Sequence, residues 1–111
     1  MKINQRDIVN VEFVFPNGKV KNHHAIVVSN NELIEEEGIV YLVLITSKDY
    51  HSDYYFELSD DMILGYKLPK KSYVKCHILM TTMEHIVSTK LGQIKKAPFD
   101  EIIAKIITSI F

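Results

Sequence analysis

The chain has little of what would place it in several common classes. Its single cysteine, Cys76, cannot form an internal disulfide, and three prolines and four glycines in 111 residues are too few for a disordered or collagenous chain. The segment Met1 to Val9 lacks the apolar stretch of a signal peptide, which together with the lone cysteine points to a reducing cytoplasm. Long hydrophobic runs are missing too. The longest, Ile39 to Ile45, falls far short of the roughly 20 residues that span a bilayer, so no membrane partner is expected. Cys-x-x-Cys and His-Glu-x-x-His spacings are absent, and the adjacent His23 and His24 point to opposite faces of any strand. Scattered histidines alone are a poor zinc site, and no Gly-rich phosphate loop or Gly-x-Ser-x-Gly elbow occurs. No metal and no cofactor are therefore expected.

What is there is the composition of an ordinary globule, 47% hydrophobic and 24% charged, of a length that suits one domain over residues 1–111. The net charge of −1 argues against nonspecific coating of nucleic acid, but it conceals a bipolar chain. From Met1 to Leu64 five basic side chains stand against eleven acidic ones, whereas from Gly65 to Lys96 seven lysines stand against Glu84 alone. That basic segment suits contact with a polyanion, and a solvated lysine face explains the same count equally well.

Val9, Val11, Phe13 and Phe15 recur at period two, the pattern of a half-buried strand. Pro16-Asn17-Gly18 ends it, and Asn17 to Asn22 reads as a hairpin loop leading to a second strand, His23 to Ser29. Asn30 to Gly38 is polar and acidic, a loop or single helical turn. Ile39 to Ser47 is apolar on both faces, as in a central strand covered on both sides. Tyr54 to Leu58 alternates again, Ser59 to Lys71 is a turn-rich connection, and Ser72 to Met80 places Val74, Cys76, Ile78 and Met80 on one face. A short strand pair is expected around Gly92 within Glu84 to Ile94. Pro98, Asp100 and Glu101 suit the start of a terminal helix whose apolar stripe is Phe99, Ile103, Ile106 and Ile110, widened by Ile102 and Ile107. Five or more short strands and one helix predict a mainly β fold, a small barrel or strongly curled sheet with the helix over an open edge.

Several polar residues interrupt strands that otherwise read as core: His23 and His24, Thr46 and Ser47, and Lys75 with His77. Each has a plain explanation by itself, since strand-end histidines and surface lysines are usually solvated and threonine is a good β-former. Their order carries more. Arg6 to Phe13, then Phe15-Pro16-Asn17-Gly18-Lys19, Ala25 to Ser29, Ile45-Thr46-Ser47-Lys48, Ser72 to His77 and Gly92-Gln93-Ile94 resemble successive motifs of the PemK/MazF family, the toxins of type II toxin–antitoxin systems.

The resemblance implies an SH3-like barrel with a C-terminal helix, a homodimer, and metal-independent, sequence-specific cleavage of single-stranded RNA. The family leaves a 2′,3′-cyclic phosphate and a 5′-hydroxyl, and a cognate antitoxin blocks the site. Carried over residue by residue, Thr46 matches the family's active-site threonine or serine. His23-His24 stand where members usually have Arg-Pro, and Val74-Lys75-Cys76-His77-Ile78 stands where Val-Arg-Cys-Asp-Gln is common. Replacing a bidentate guanidinium by a point-charge ammonium changes phosphate recognition.

The catalytic set implied is His77 as general base, Lys75 and His23 as acid or phosphate donors, and Thr46 as a hydrogen-bond donor. Lys19, Lys21, His24, Ser47, Lys48, Lys70 and Lys71 are expected along the RNA. The alternative is a catalytically impaired module of the same fold that binds RNA or a partner protein.

Overall fold

The computed structural model describes residues 2–14 and 16–111, with Phe13 described by its backbone alone, and the expectation for Phe15 lies outside the described residues. Seven strands are described: β1 (Asp7–Val14), β2 (Val20–Val27), β3 (Ile39–Thr46), β4 (Tyr55–Leu58), β5 (Ile63–Leu64), β6 (Ser72–Met83) and β7 (Val87–Ile94). They form one antiparallel sheet in the order β4-β6-β3-β2-β1-β7-β5. Helix α1 (Asn31–Glu37) lies between β2 and β3, and α2 (Lys96–Ile110) closes the chain.

Alternation along the central strands feeds two cores, one on each side of the sheet. Ile8, Ile26, Val43, Ile45 and Val74 point to one side, where they meet Phe99, Ile102 and Ile106 of α2. Val9, Val11, Ala25, Val27, Val40 and Leu42 point to the other, where Ile3 and Ile34 of α1 cover them. Burying each such side chain contributes about 1.5–3 kcal/mol, so the doubly covered β3 anchors both cores. Leu58 of β4 and Ile63 of β5 come from opposite edges of the sheet yet share the α2-side core. The sheet therefore curls until its edges approach, joined through a 3-10 turn at Asp60–Met62. This is the strongly curled sheet the pattern predicts and the SH3-like architecture the family resemblance implies, with its ladder left open between β4 and β5 among the described residues.

Several local expectations change. The hairpin turn is shorter than Asn17 to Asn22, because Gly18 takes a φ of +81° and the Asn17 side chain accepts the Lys19 N–H, so β2 already begins at Val20. His23 and His24 thus sit inside the strand. The acidic segment is a helix of seven residues, capped by Asn30 Oδ1 accepting the Leu33 N–H (2.8 Å) and by left-handed Gly38 donating to Ile34.

No strand pair surrounds Gly92; one 3-10 turn, Glu84–Ile86, leads into the single strand β7. A Cβ at Gly92 would lie 2.6 Å from Tyr66 Cβ and 2.7 Å from the Leu64 carbonyl, so this glycine lets β5 approach rather than turning the chain. Finally, α2 starts two residues before Pro98, which still lies in the first turn, where its missing N–H costs nothing.

The alternation of β6 holds through Val74 and Cys76 and then fails, leaving Ile78 and Leu79 exposed. The cause is a bulge. Ile45 pairs with Val74 and Val43 with Leu79, so Lys75 to Ile78 lie against Leu44 alone.

Candidate active site

The ladder between β2 and β3 stops at Ala25↔Leu44, so His23 and Thr46, each two residues beyond it, stand where the two strands part. On the other flank of β3, Thr46 pairs with Tyr73, and the bulge of β6 begins two residues later at Lys75. The parted strands open a cleft of about 440 Å³ between β2, the end of β3 and the start of β6. His23, Thr46 and Lys75 line it together with Lys21, His24, Ser47, Lys48 and Lys70. Three of the four expected catalytic residues and five of the seven expected RNA contacts thus converge.

His23 is half-buried, with its Nε2 shielded from solvent. Burial lowers its pKa from the ordinary 6.5, and the ammonium groups of Lys75 and Lys21 and the neighbouring His24 push in the same direction. The imidazole is therefore neutral at neutral pH, the state a proton acceptor needs. Thr46 Oγ1 accepts the Lys48 N–H (3.2 Å), which leaves its own hydroxyl proton to donate to a ligand. Ser72, at the floor, donates to the Lys70 carbonyl (2.9 Å) and holds the lysine-bearing loop against β6.

The other expected site residues lie elsewhere. His77 is exposed beyond the cleft, its ring 5.0 Å from that of Tyr54 and 6.1 Å from that of Tyr55, because the bulge carries it past the cleft mouth. Lys71 is turned to Glu57 (2.7 Å), whose carboxylate raises its pKa. Lys19 borders a separate depression at the hairpin tip, connected to the cleft through Lys21, which lines both.

Tyr50 also lines the cleft and was not anticipated from the sequence. The signal for Tyr50 was the interleaving of tyrosine with charge between Lys48 and Tyr55. Among the described residues no three His, Cys, Asp or Glu side chains come together as a metal site. Cys76 is no nucleophile here: it is buried and its thiol is pushed up to about 11, chiefly by burial.

A curled antiparallel sheet with a terminal helix and a basic, imidazole-bearing cleft where two central strands part defines the class of protein. The family model of the PemK-like, MazF-like toxins of type II toxin–antitoxin systems matches residues 4–110, and the chain belongs to that family. No curated protein matches it by sequence.

Similar solved structures include a chain of the MazE–MazF crystal structure from Deinococcus radiodurans, at 12% identity and a TM-score of 0.78, with 100% of both chains covered. An endoribonuclease in complex with its cognate antitoxin from Mycobacterial species is 15% identical, with a TM-score of 0.75 over 97% of this chain and 92% of that one. Mycobacterium tuberculosis toxin MazF-mt6 is 16% identical, with a TM-score of 0.71 over 92% of each chain. At these identities the likeness is one of fold. Among the described residues no helix is long and apolar enough to cross a membrane.

Proposed function

We propose that this toxin is a sequence-specific, metal-independent endoribonuclease that cleaves single-stranded RNA, inhibits growth in the cytoplasm and is held in check by a cognate antitoxin. The observation that carries the reading is the neutral His23 facing the same cleft as the Lys75 ammonium and the Thr46 hydroxyl. Family membership and the endoribonuclease names of the mycobacterial structures support it.

In this mechanism His23, rather than the outlying His77, takes the proton of the ribose 2′-hydroxyl, and the 2′-oxygen attacks phosphorus. Lys75 and Thr46 meet the charge that builds on the phosphoryl oxygens. The bond from phosphorus to the 5′-oxygen breaks, Lys75 supplies the proton that oxygen needs, and solvent restores both groups. The products are a 2′,3′-cyclic phosphate and a 5′-hydroxyl, with no redox change and no step that calls on a metal. Lys21, Lys48 and Lys70 guide the flanking phosphates.

A homodimer forms part of the proposal. Ile107 (54% exposed) on α2 and Phe111 (89% exposed) just after it, with Ile78 and Leu79 on β6, leave apolar surface that a second copy would cover. A second reading, an impaired module that binds RNA without cutting it, is favoured by Lys75 standing where family members commonly carry arginine.

Purified protein incubated with single-stranded RNA in chelator separates the two. Cleavage that leaves cyclic-phosphate ends, fails on matching DNA and falls with added salt supports the nuclease. Binding without cleavage at any pH replaces it with the module, and full dependence on magnesium overturns the mechanism.

A further inference from the structure

Beyond the cleft, the edge of the sheet carries an aromatic patch that neither core uses. Tyr55 of β4 pairs across the ladder with Lys75. Its ring lies 6.1 Å from Tyr73 and 6.1 Å from His77, with planes inclined by 33° and 30°. His77 in turn lies 5.0 Å from Tyr54 at 31°, and Tyr50 is 6.5 Å from Tyr55. Four of the chain's six tyrosines are thus gathered on one short edge. Tyr50 and Tyr54 are 64% and 49% exposed, and none of the four packs into a buried cluster. Folding alone gives no reason for so much aromatic surface in water.

The patch is continuous with the cleft. Tyr50 lines the cleft itself, and Lys75 joins the two, lining the cleft on β6 while standing opposite Tyr55. A strand of RNA whose scissile phosphate sits between His23 and Lys75 has its next nucleotides within reach of these rings. Aromatic side chains on an exposed sheet, next to lysines that track phosphates, are what unpaired bases stack on. Charge favours the same occupant: Lys48, Lys70 and Lys75 border the patch on the cleft side. Two carboxylates beside the rings are engaged: Asp49 by the His51 N–H (2.8 Å) and the Tyr73 hydroxyl (3.3 Å), and Glu57, opposite Tyr73 in the ladder, by Lys71 Nζ (2.7 Å).

We infer that Tyr50, Tyr54, Tyr55, Tyr73 and His77 form a stacking platform for bases that flank the scissile phosphate of single-stranded RNA. The inference rests on the RNA-cleaving reading of the cleft and adds to it the length of substrate the protein grips. His77 then serves binding through its ring face and not through proton transfer.

Binding is measured by fluorescence anisotropy with RNA carrying a 2′-O-methyl group at the scissile position, so that the result does not depend on cleavage. One RNA spans only the cleavage site, a second extends by several nucleotides on each side, and a third has the same extension with abasic sugars. The platform predicts that the native protein binds the extended RNA tighter than the abasic one by roughly 5- to 150-fold, the usual worth of one stacked base. Tyr54→Ser, at an exposed position outside the cleft, should lose most of that advantage and leave the short RNA unaffected, whereas Tyr54→Phe should retain it; Tyr50→Ser, which also alters the cleft lining, should lose the advantage as well.

Equal binding of the extended and abasic RNAs overturns the platform, as does failure of Tyr54→Phe to retain binding. It is also overturned if the serine variants bind all three RNAs like the native protein and lose affinity only for a protein partner. Absence of cleavage of the unmodified RNA, with stacking intact, counts against the nuclease alone.

Discussion

Lys75 of β6 and His23 of β2 face one cleft across the end of β3, and the lysine's charge helps hold the imidazole below its ordinary pKa. The two residues are brought together by strand order, with β3 between their strands. Burial of the imidazole first, and this coupling second, set the pH dependence of the site. With the folded pKa below 6.5, the base form of His23 persists as pH falls below that value, so the acid limb of the cleavage profile should have its midpoint under 6.5. Lys75→Met should move that midpoint upward. Nuclear magnetic resonance titration of the His23 ring reads the same shift directly, and an unchanged titration in the variant would remove the coupling. The same depression has a stability consequence: the unfolded chain takes the proton first, so this residue erodes stability as pH falls through 6.5 and adds no penalty above it.

The two histidines should separate cleanly by mutation. His23→Ala should lower the cleavage rate by roughly 10² to 10⁴, the usual worth of a general base, and abolish the acid limb of the profile. His77→Ala should weaken binding of flanked RNA and keep the profile's shape, since its ring lies among tyrosines outside the cleft. Pre-steady-state cleavage across pH measures both, and a lost acid limb in His77→Ala would return the base role to that residue.

An ion pair between a buried carboxylate and an exposed lysine clamps β1 to β7. Lys90 Nζ lies 3.1 Å from Asp7 Oδ2, whose side chain is fully buried and also accepts the Asn4 N–H (2.7 Å) and the Gln93 side-chain amide (3.3 Å). Lys90→Met would leave the buried carboxylate with neutral donors only, at a cost of about 1–3 kcal/mol, less than for a fully buried pair because Lys90 is exposed to solvent. Asp7→Asn should cost less, because the amide is neutral. Urea denaturation gives both values, and a Lys90→Met protein as stable as the native one would contradict the clamp.

Gly92→Ala places a methyl group against the Leu64 carbonyl and Tyr66 Cβ, neither of which is the end of a flexible side chain. The edge strand β5 must shift, and overpacking of this kind costs about 1–3 kcal/mol. Thermal unfolding should show the loss, with faster amide exchange at Ile63 and Leu64, whose partners in β7 are Ile94 and Gln93. An unchanged melting temperature would mean that the approach is looser than the structure shows.

The architecture was legible in the sequence because burial on a strand follows a period of two that needs no knowledge of the partners. Val9 and Val11 and the two-sided run from Ile39 were readable as faces, and each packs accordingly; of the helix stripe read as Phe99, Ile103, Ile106 and Ile110 with Ile102 and Ile107 beside it, Phe99, Ile102 and Ile106 are buried whereas Ile107 and Ile110 stay exposed. Local chemistry that competes with this period was harder to see. The Asn30 and Gly38 caps turned an acidic loop into a helix, and Gly92, taken for a turn, marks a close approach by a segment some thirty residues away in the chain.

The residue types of the site could be named beforehand, yet their grouping could not. Lys75 and His77 share a strand and a parity, so alternation put them together; the bulge opposite Leu44 then left Lys75 in the cleft and carried His77 to the tyrosines. Likewise Tyr50, Tyr54, Tyr55 and Tyr73 are scattered over more than twenty residues and become one surface only through the pairing of β4 with β6. By itself the sequence determined which residues could be buried and which could do acid–base chemistry, since both follow from side-chain type and local spacing. Only the tertiary structure decided which imidazole stands beside the lysine, because strand order and an irregular register are settled by long-range packing, which leaves no periodic trace in the chain.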